Sequence, residues 1–143
     1  MKKRVFITFA LVLIVLGGCA PGKYVPRPNE EIYGTWINEK GYPQKAMLFA
    51  GGFKQYSRAA DTLPTYSQGT LEIESRWQDV WGNIWYKQYV TDMPGGEKFQ
   101  TLAKVSKSGT VLERVYNSVA EFSPKSFPTS IDPKSGTYAI WFR

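Results

Sequence analysis

Between Gly69 and Trp77 the chain alternates: Leu71, Ile73, Ser75 and Trp77 fall on one side, and Thr70, Glu72, Glu74 and Arg76 on the other. In an extended strand successive side chains point to opposite faces, so this stretch predicts an antiparallel strand with one buried and one wet face. Similar short runs, bounded by turn residues, recur over 32–37, 44–50, 53–58, 84–91, 98–106, 110–116 and 137–143, and no 3.6-residue period competes with them. Gly51-Gly52, Gly82-Asn83, Gly95-Gly96 and Ser108-Gly109 supply the positive-φ positions that tight hairpins need. Eight strands joined in this way predict an all-β, eight-stranded antiparallel meander. Closing it into a barrel removes the edges that an open sheet would expose.

Two segments interrupt the rhythm. Residues 59–68 contain Asp61, Pro64 and Ser67 and read as a surface loop. Residues 117–136 carry Pro124, Pro128 and Pro133 among a few apolar side chains. A connection this long inside a compact domain predicts a lid or a plug at a barrel end, with a short helix over 118–122.

The chain of 143 residues holds one cysteine and no histidine. That composition removes Ser-His-Asp and Cys-His nucleophilic catalysis and the usual zinc sites, so no catalytic residue, metal or cofactor is assigned and the chain reads as a non-enzyme. With no disulfide available within the chain, burial must hold the fold, and eight Phe, five Trp and nine Tyr supply the apolar area. The formal charge of +6 includes Lys2, Lys3 and Arg4; the rest of the chain is mildly basic and has no cationic run. Nucleic acid is therefore not expected as a partner.

The N-terminus opens with those three cations, continues in an apolar run from Val5 to Leu16 broken only by Thr8, and reaches Leu16-Gly17-Gly18-Cys19. The order of charged, apolar and small-residue regions is that of a secretory signal, and the run is too short to span a bilayer. With cysteine after the cut, it resembles a bacterial lipoprotein signal. The resemblance implies cleavage after residue 18, lipidation and acylation of Cys19, and membrane attachment in the cell envelope. It also implies sorting to the outer membrane in a two-membrane organism, since Ala20 rather than Asp follows the cysteine. The expected organisation is a signal peptide over 1–18, a lipidated cysteine and proline-rich tether over 19–31, and one domain over 32–143.

Gly34-Thr35-Trp36 on the first strand, followed by a meander of this length, resembles the lipocalin and fatty-acid-binding group, the calycins. There the tryptophan closes one barrel end beneath an arginine from near the C-terminus, which implies end packing between Trp36 and Arg143. The wider pattern of Tyr-Gly-Thr-Trp, Trp-x-Asp-x-x-Gly-Asn-x-Trp-Tyr, Ile-Asp-Pro and a terminal Tyr-x-Ile-x-x-Arg is similar to uncharacterised bacterial lipocalin-like lipoproteins, which carry no known activity.

Alternation places Trp36, Leu71, Ile73, Trp77, Tyr86, Phe99 and Ile140 inside such a barrel as the lining of a pocket for a small hydrophobic or amphipathic ligand. The alternative is a filled barrel acting as a protein-interaction module, an envelope assembly factor or an enzyme inhibitor. Trp77, Trp81 and Trp85 read either as the rim of a binding surface or as separate core, turn and outer-wall residues. Asp79 with Gly82-Asn83 reads as an Asx turn, for it lacks the oxygen ligands calcium needs. Glu72, Glu74 and Arg76 read as a solvated ladder. Asp61, Asp92, Glu97, Glu113 and Asp132 are scattered, and no carboxylate pair stands out. Glu113 and Arg114 interrupt an apolar strand, as an inward charge in a pocket or as an edge position.

Overall fold

The computed structural model describes residues 23–143; the signal segment 1–18 and Cys19 lie outside the described residues. Eight strands follow one another: β1 (Gly34–Ile37), β2 (Lys45–Phe49), β3 (Gly51–Tyr56), β4 (Ser67–Gln78), β5 (Ile84–Met93), β6 (Lys98–Val105), β7 (Val111–Val119) and β8 (Ala139–Phe142). Each pairs antiparallel with the next, and β8 returns to β1 through Ile37 and Phe142, so the sheet closes on itself in sequence order. The result is an all-β, eight-stranded antiparallel meander barrel, an architecture consistent with a calycin-like fold. Closure leaves no edge strand among the described residues.

The alternation that predicted β4 fails halfway along it. Leu71 pairs with Val90 and Ile73 with Gln88, but the register then slips, so that Ser75 faces Lys87, Arg76 faces Tyr86 and Trp77 faces Trp85. One extra residue in a strand reverses the facing of everything after it. Arg76 therefore turns inward, while Ser75 and Trp77 move to the outer wall. The solvated ladder of Glu72, Glu74 and Arg76 is broken by the same slip.

The long connection after β7 is no helix: Ser118 and Val119 continue β7, opposite Phe99 and Lys98. Nor does the stretch from Phe122 to Thr129 plug a barrel end. It lies along the outer wall, where the Phe122 and Phe127 rings pack on Tyr89 at 4.7 and 5.2 Å. Gln100 points outward from β6 and is fully buried beneath it. Its side-chain amide donates to Ser123 O (2.7 Å) and accepts from Ser123 N–H (2.9 Å), replacing the backbone partners that a strand would have given this segment. Phe127 keeps only 7 % of its surface exposed. The belt gives β5 and β6 a second, smaller core outside the barrel.

Inside, Trp36, Leu48, Ile73, Tyr86, Val105 and Leu112 are almost wholly shielded from water. They fill the half of the barrel that contains the β6–β7 turn. The other half is open.

Candidate functional site

The filled half ends in a floor built by the segment before β1. Residues 23–31, within the stretch expected to be a tether, are bound to the barrel rather than free of it. Ile32 is buried and its carbonyl accepts from Trp36 Nε1 (2.8 Å). Arg143 lies with its guanidinium 4.1 Å above the centre of the Trp36 ring and donates to the carbonyls of Tyr33 (2.7 Å), Glu31 (2.9 Å) and Gly109 (2.7 Å). One side chain thus ties the first strand's approach, the β6–β7 turn and the indole together. Gly34 passes beneath it at φ +125°, a conformation that favours glycine, and a Cβ there would stand 2.9 Å from Arg143 Nη1.

Two carboxylates complete the floor. The side chain of Glu30 has no exposed surface; it accepts from Arg27 N–H (2.8 Å), Arg27 Nη2 (3.2 Å) and Tyr86 Oη (3.1 Å), and from the Tyr24 hydroxyl. Glu31 accepts from Tyr86 Oη (2.5 Å) and Arg76 Nη2 (2.8 Å), the arginine that the β4 slip turned inward. Burial pushes the Glu31 carboxyl up, but the bonds from Arg76, Tyr86 and Arg27 more than offset it and hold the group at about 2. Glu30 is lowered as well: the bonds from Arg27, Tyr24 and Tyr86 outweigh the effect of burial. Burial, then the Glu31 bond, pushes the Tyr86 hydroxyl far above its usual range.

A depressed carboxylate stabilises the fold fully above its unfolded value of about 4.5 and loses that contribution as pH falls through its folded value of about 2. The denaturant midpoint is therefore expected to drop between about pH 4.5 and pH 2. Glu31→Gln should flatten that drop while lowering the midpoint at pH 7. A variant whose acid limb matches the parent's would remove the floor from the account.

The open half holds a cavity of about 470 Å³. Phe53, Val90, Phe99, Tyr116 and Trp141 supply apolar walls, Tyr42 and Tyr66 stand at the rim, and Asp92, Thr101 and Arg114 add polar groups. Arg114 reaches it because β7 keeps strict alternation: Leu112 faces Val105, Arg114 faces Ala103 and Tyr116 faces Thr101, all on the inner side. Glu113 points out instead, to Lys104 Nζ (2.6 Å) and the Tyr138 hydroxyl (2.9 Å). Burial pulls the Arg114 guanidinium down to about 10, so it is cationic at neutral pH. No carboxylate pairs with it among the described residues, and its Nε makes no hydrogen bond. Trp141 Nε1, Asp92 Oδ1 and both amide atoms of Gln88 are likewise buried without a partner.

Of the residues expected to line a pocket, Phe99 does so. Trp36, Leu71, Ile73 and Tyr86 lie buried in the packed interior. Trp77 is on the outer wall, stacked on Trp85 with ring centres 5.9 Å apart, because of the β4 slip. Ile140 shares the outer face of β8 with Phe142, opposite outward-pointing Glu113. Alternation through Leu112 and Tyr116 was the signal that could have chosen the inward reading of Arg114. Nothing local marks Tyr42 or Tyr66, which arrive at the rim on connections between strands.

A second concavity lies outside. Trp77, Trp81, Trp85 and Lys87 face Pro124, Phe127 and Pro128 of the belt across an open groove of about 910 Å³. Asp79 shapes its end as an Asx turn, accepting from Trp81 N–H (3.0 Å), Asn83 N–H (2.9 Å) and Trp85 Nε1 (2.8 Å). At the hairpin tip Val80 and Trp81 are 89 % and 75 % exposed. No group of three or more potential metal ligands occurs among the described residues.

Comparison with family models, with curated proteins and with solved structures finds no match for this chain.

Proposed function

We propose that this chain is a lipid-anchored, non-enzymatic barrel of the cell envelope that takes up a small amphipathic molecule with an anionic head. The supporting observation is Arg114, a half-buried cation that faces the cavity with its Nε shielded from water and no carboxylate paired to it among the described residues. Partly desolvating an unpaired charge is unfavourable, and a carboxylate or phosphate offsets that cost through short, charge-assisted bonds. The cavity volume falls in the range of small-molecule sites, and its aromatic walls suit an apolar body behind the head.

Native mass spectrometry of the full chain carrying Cys19→Ser tests the binding half. Co-purifying mass of lipid size, displaced by a fluorescent fatty acid, is the expected result. A bare protein mass together with no fatty-acid uptake would sink the reading. Anchoring rests on Leu16-Gly17-Gly18-Cys19. Labelling of cells with palmitate is expected to mark the parent chain and leave Cys19→Ser blank; equal labelling of the two excludes this anchor.

The outer groove favours a second reading, docking of an envelope protein on the Trp81 tip. Large aromatic side chains set in a half-wet cleft are frequent anchors of such interfaces. Under that reading Trp81→Ala leaves fatty-acid uptake and the melting temperature unchanged but removes binding of the partner.

A further inference from the structure

We infer that the molecule held in the cavity is bipolar: its anion lies deep at Arg114 and a cationic group lies at the mouth, between Asp92 and Glu97. This rests on the proposed uptake of an anionic amphiphile and adds the other end of that molecule.

Charge is distributed along the cavity rather than around it. Arg114 is the only arginine or lysine among its lining residues, and Asp92 and Glu97 are the only carboxylates. Arg114 sits opposite Ala103, at the level of Tyr86, which pairs with the same alanine from the other side. Asp92 sits at the far end of β5, where its N–H donates to Glu97 O (2.8 Å). The stretch of chain from 97 to 103 spans roughly 20 Å at about 3.3 Å per residue. The two charged groups are thus anchored well apart along the cavity. That gap is walled by Phe99, Val90, Tyr116 and Phe53.

Arg114 and Asp92 therefore do not neutralise each other, although they face the same space. Each is also unsatisfied on its own. Arg114 Nε has no partner, and Asp92 Oδ1, shielded from solvent, accepts no hydrogen bond. No cation among the described residues pairs with Asp92 or Glu97; neighbouring Lys98 is engaged outside, with Glu121 (3.2 Å). A molecule with a carboxylate, an apolar spacer and an ammonium matches the sequence of lining groups from floor to rim. An anion with a plain alkyl tail would leave the shielded Asp92 Oδ1 unpaired.

Three probes of one length separate the alternatives: 12-aminododecanoic acid, dodecanoic acid and dodecylamine, titrated into the full-length Cys19→Ser protein by calorimetry. The amino acid is expected to bind at least tenfold more tightly than dodecanoic acid. Asp92→Asn should erase that advantage by weakening the amino acid, while Arg114→Leu weakens both acids. Equal or tighter binding of dodecanoic acid, insensitive to Asp92→Asn, overturns the bipolar inference and keeps the anionic-amphiphile reading. Absence of binding by all three probes overturns both. Dodecylamine binding best, with no loss in Arg114→Leu, overturns the deep-anion assignment.

Discussion

Replacing Arg114 with leucine is expected to abolish uptake of anionic amphiphiles and, in the same protein, to raise the melting temperature. Both effects follow from one half-buried guanidinium that faces the barrel interior with its Nε shielded and unpartnered. Removing it ends the charge-assisted bonds to the head group, worth about 3 kcal/mol or roughly 100-fold in Kd. It also relieves the ligand-free barrel of an uncompensated charge, and apolar replacements of buried ions often stabilise by about 1–4 kcal/mol. Arg114→Lys should fall between: the charge stays, but the planar fork that grips two oxygens is lost, weakening binding by about tenfold. Fatty-acid titration and thermal melts of the three proteins check the prediction. A melting temperature that drops in Arg114→Leu would mean that the arginine serves the fold rather than a guest.

Trp36→Ala should be the most damaging single change to stability, at about 3–5 kcal/mol. The indole is fully buried, donates to the Ile32 carbonyl and carries the Arg143 guanidinium on its face. Alanine leaves a large void, an unpaired carbonyl and an arginine without its seat. For a domain of this size the melting temperature should fall by about 10–20 °C. Trp36→Phe keeps most of the volume and the π face but not the N–H, so about 1–2 kcal/mol is expected to separate it from the parent. A Trp36→Ala protein that melts with the parent would show that the floor contributes nothing to holding the barrel shut.

Why the barrel could be read from the chain while much of its interior could not is a matter of range. Strand positions follow from local alternation and from glycines at turns, signals that need only a few neighbouring residues; β4 to β7 were legible for that reason. A bulge adds a single residue and leaves no mark in composition, so the slip between Ile73 and Ser75 was invisible. With it went the facing of Trp77 and Arg76. The belt over β5 and β6 was hidden for another reason: Gln100, a polar residue on an outer face, gives no hint that Ser123 will cover it. Tyr42 and Tyr66 belong to the cavity only through closure of the whole sheet. Arg114 lay at the boundary of legibility, a charge in an apolar strand whose facing required a register to decide.

The sealed floor makes the barrel a dead end rather than a passage. A guest of the kind proposed would have to come out by the same doorway, and the part that entered first would leave last. Such a vessel can shelter or hand over cargo, but it cannot thread cargo from one side to the other. On the proposed reading, residence time then depends on the grips along a single route, because nothing at the threshold has to open for the cargo to go.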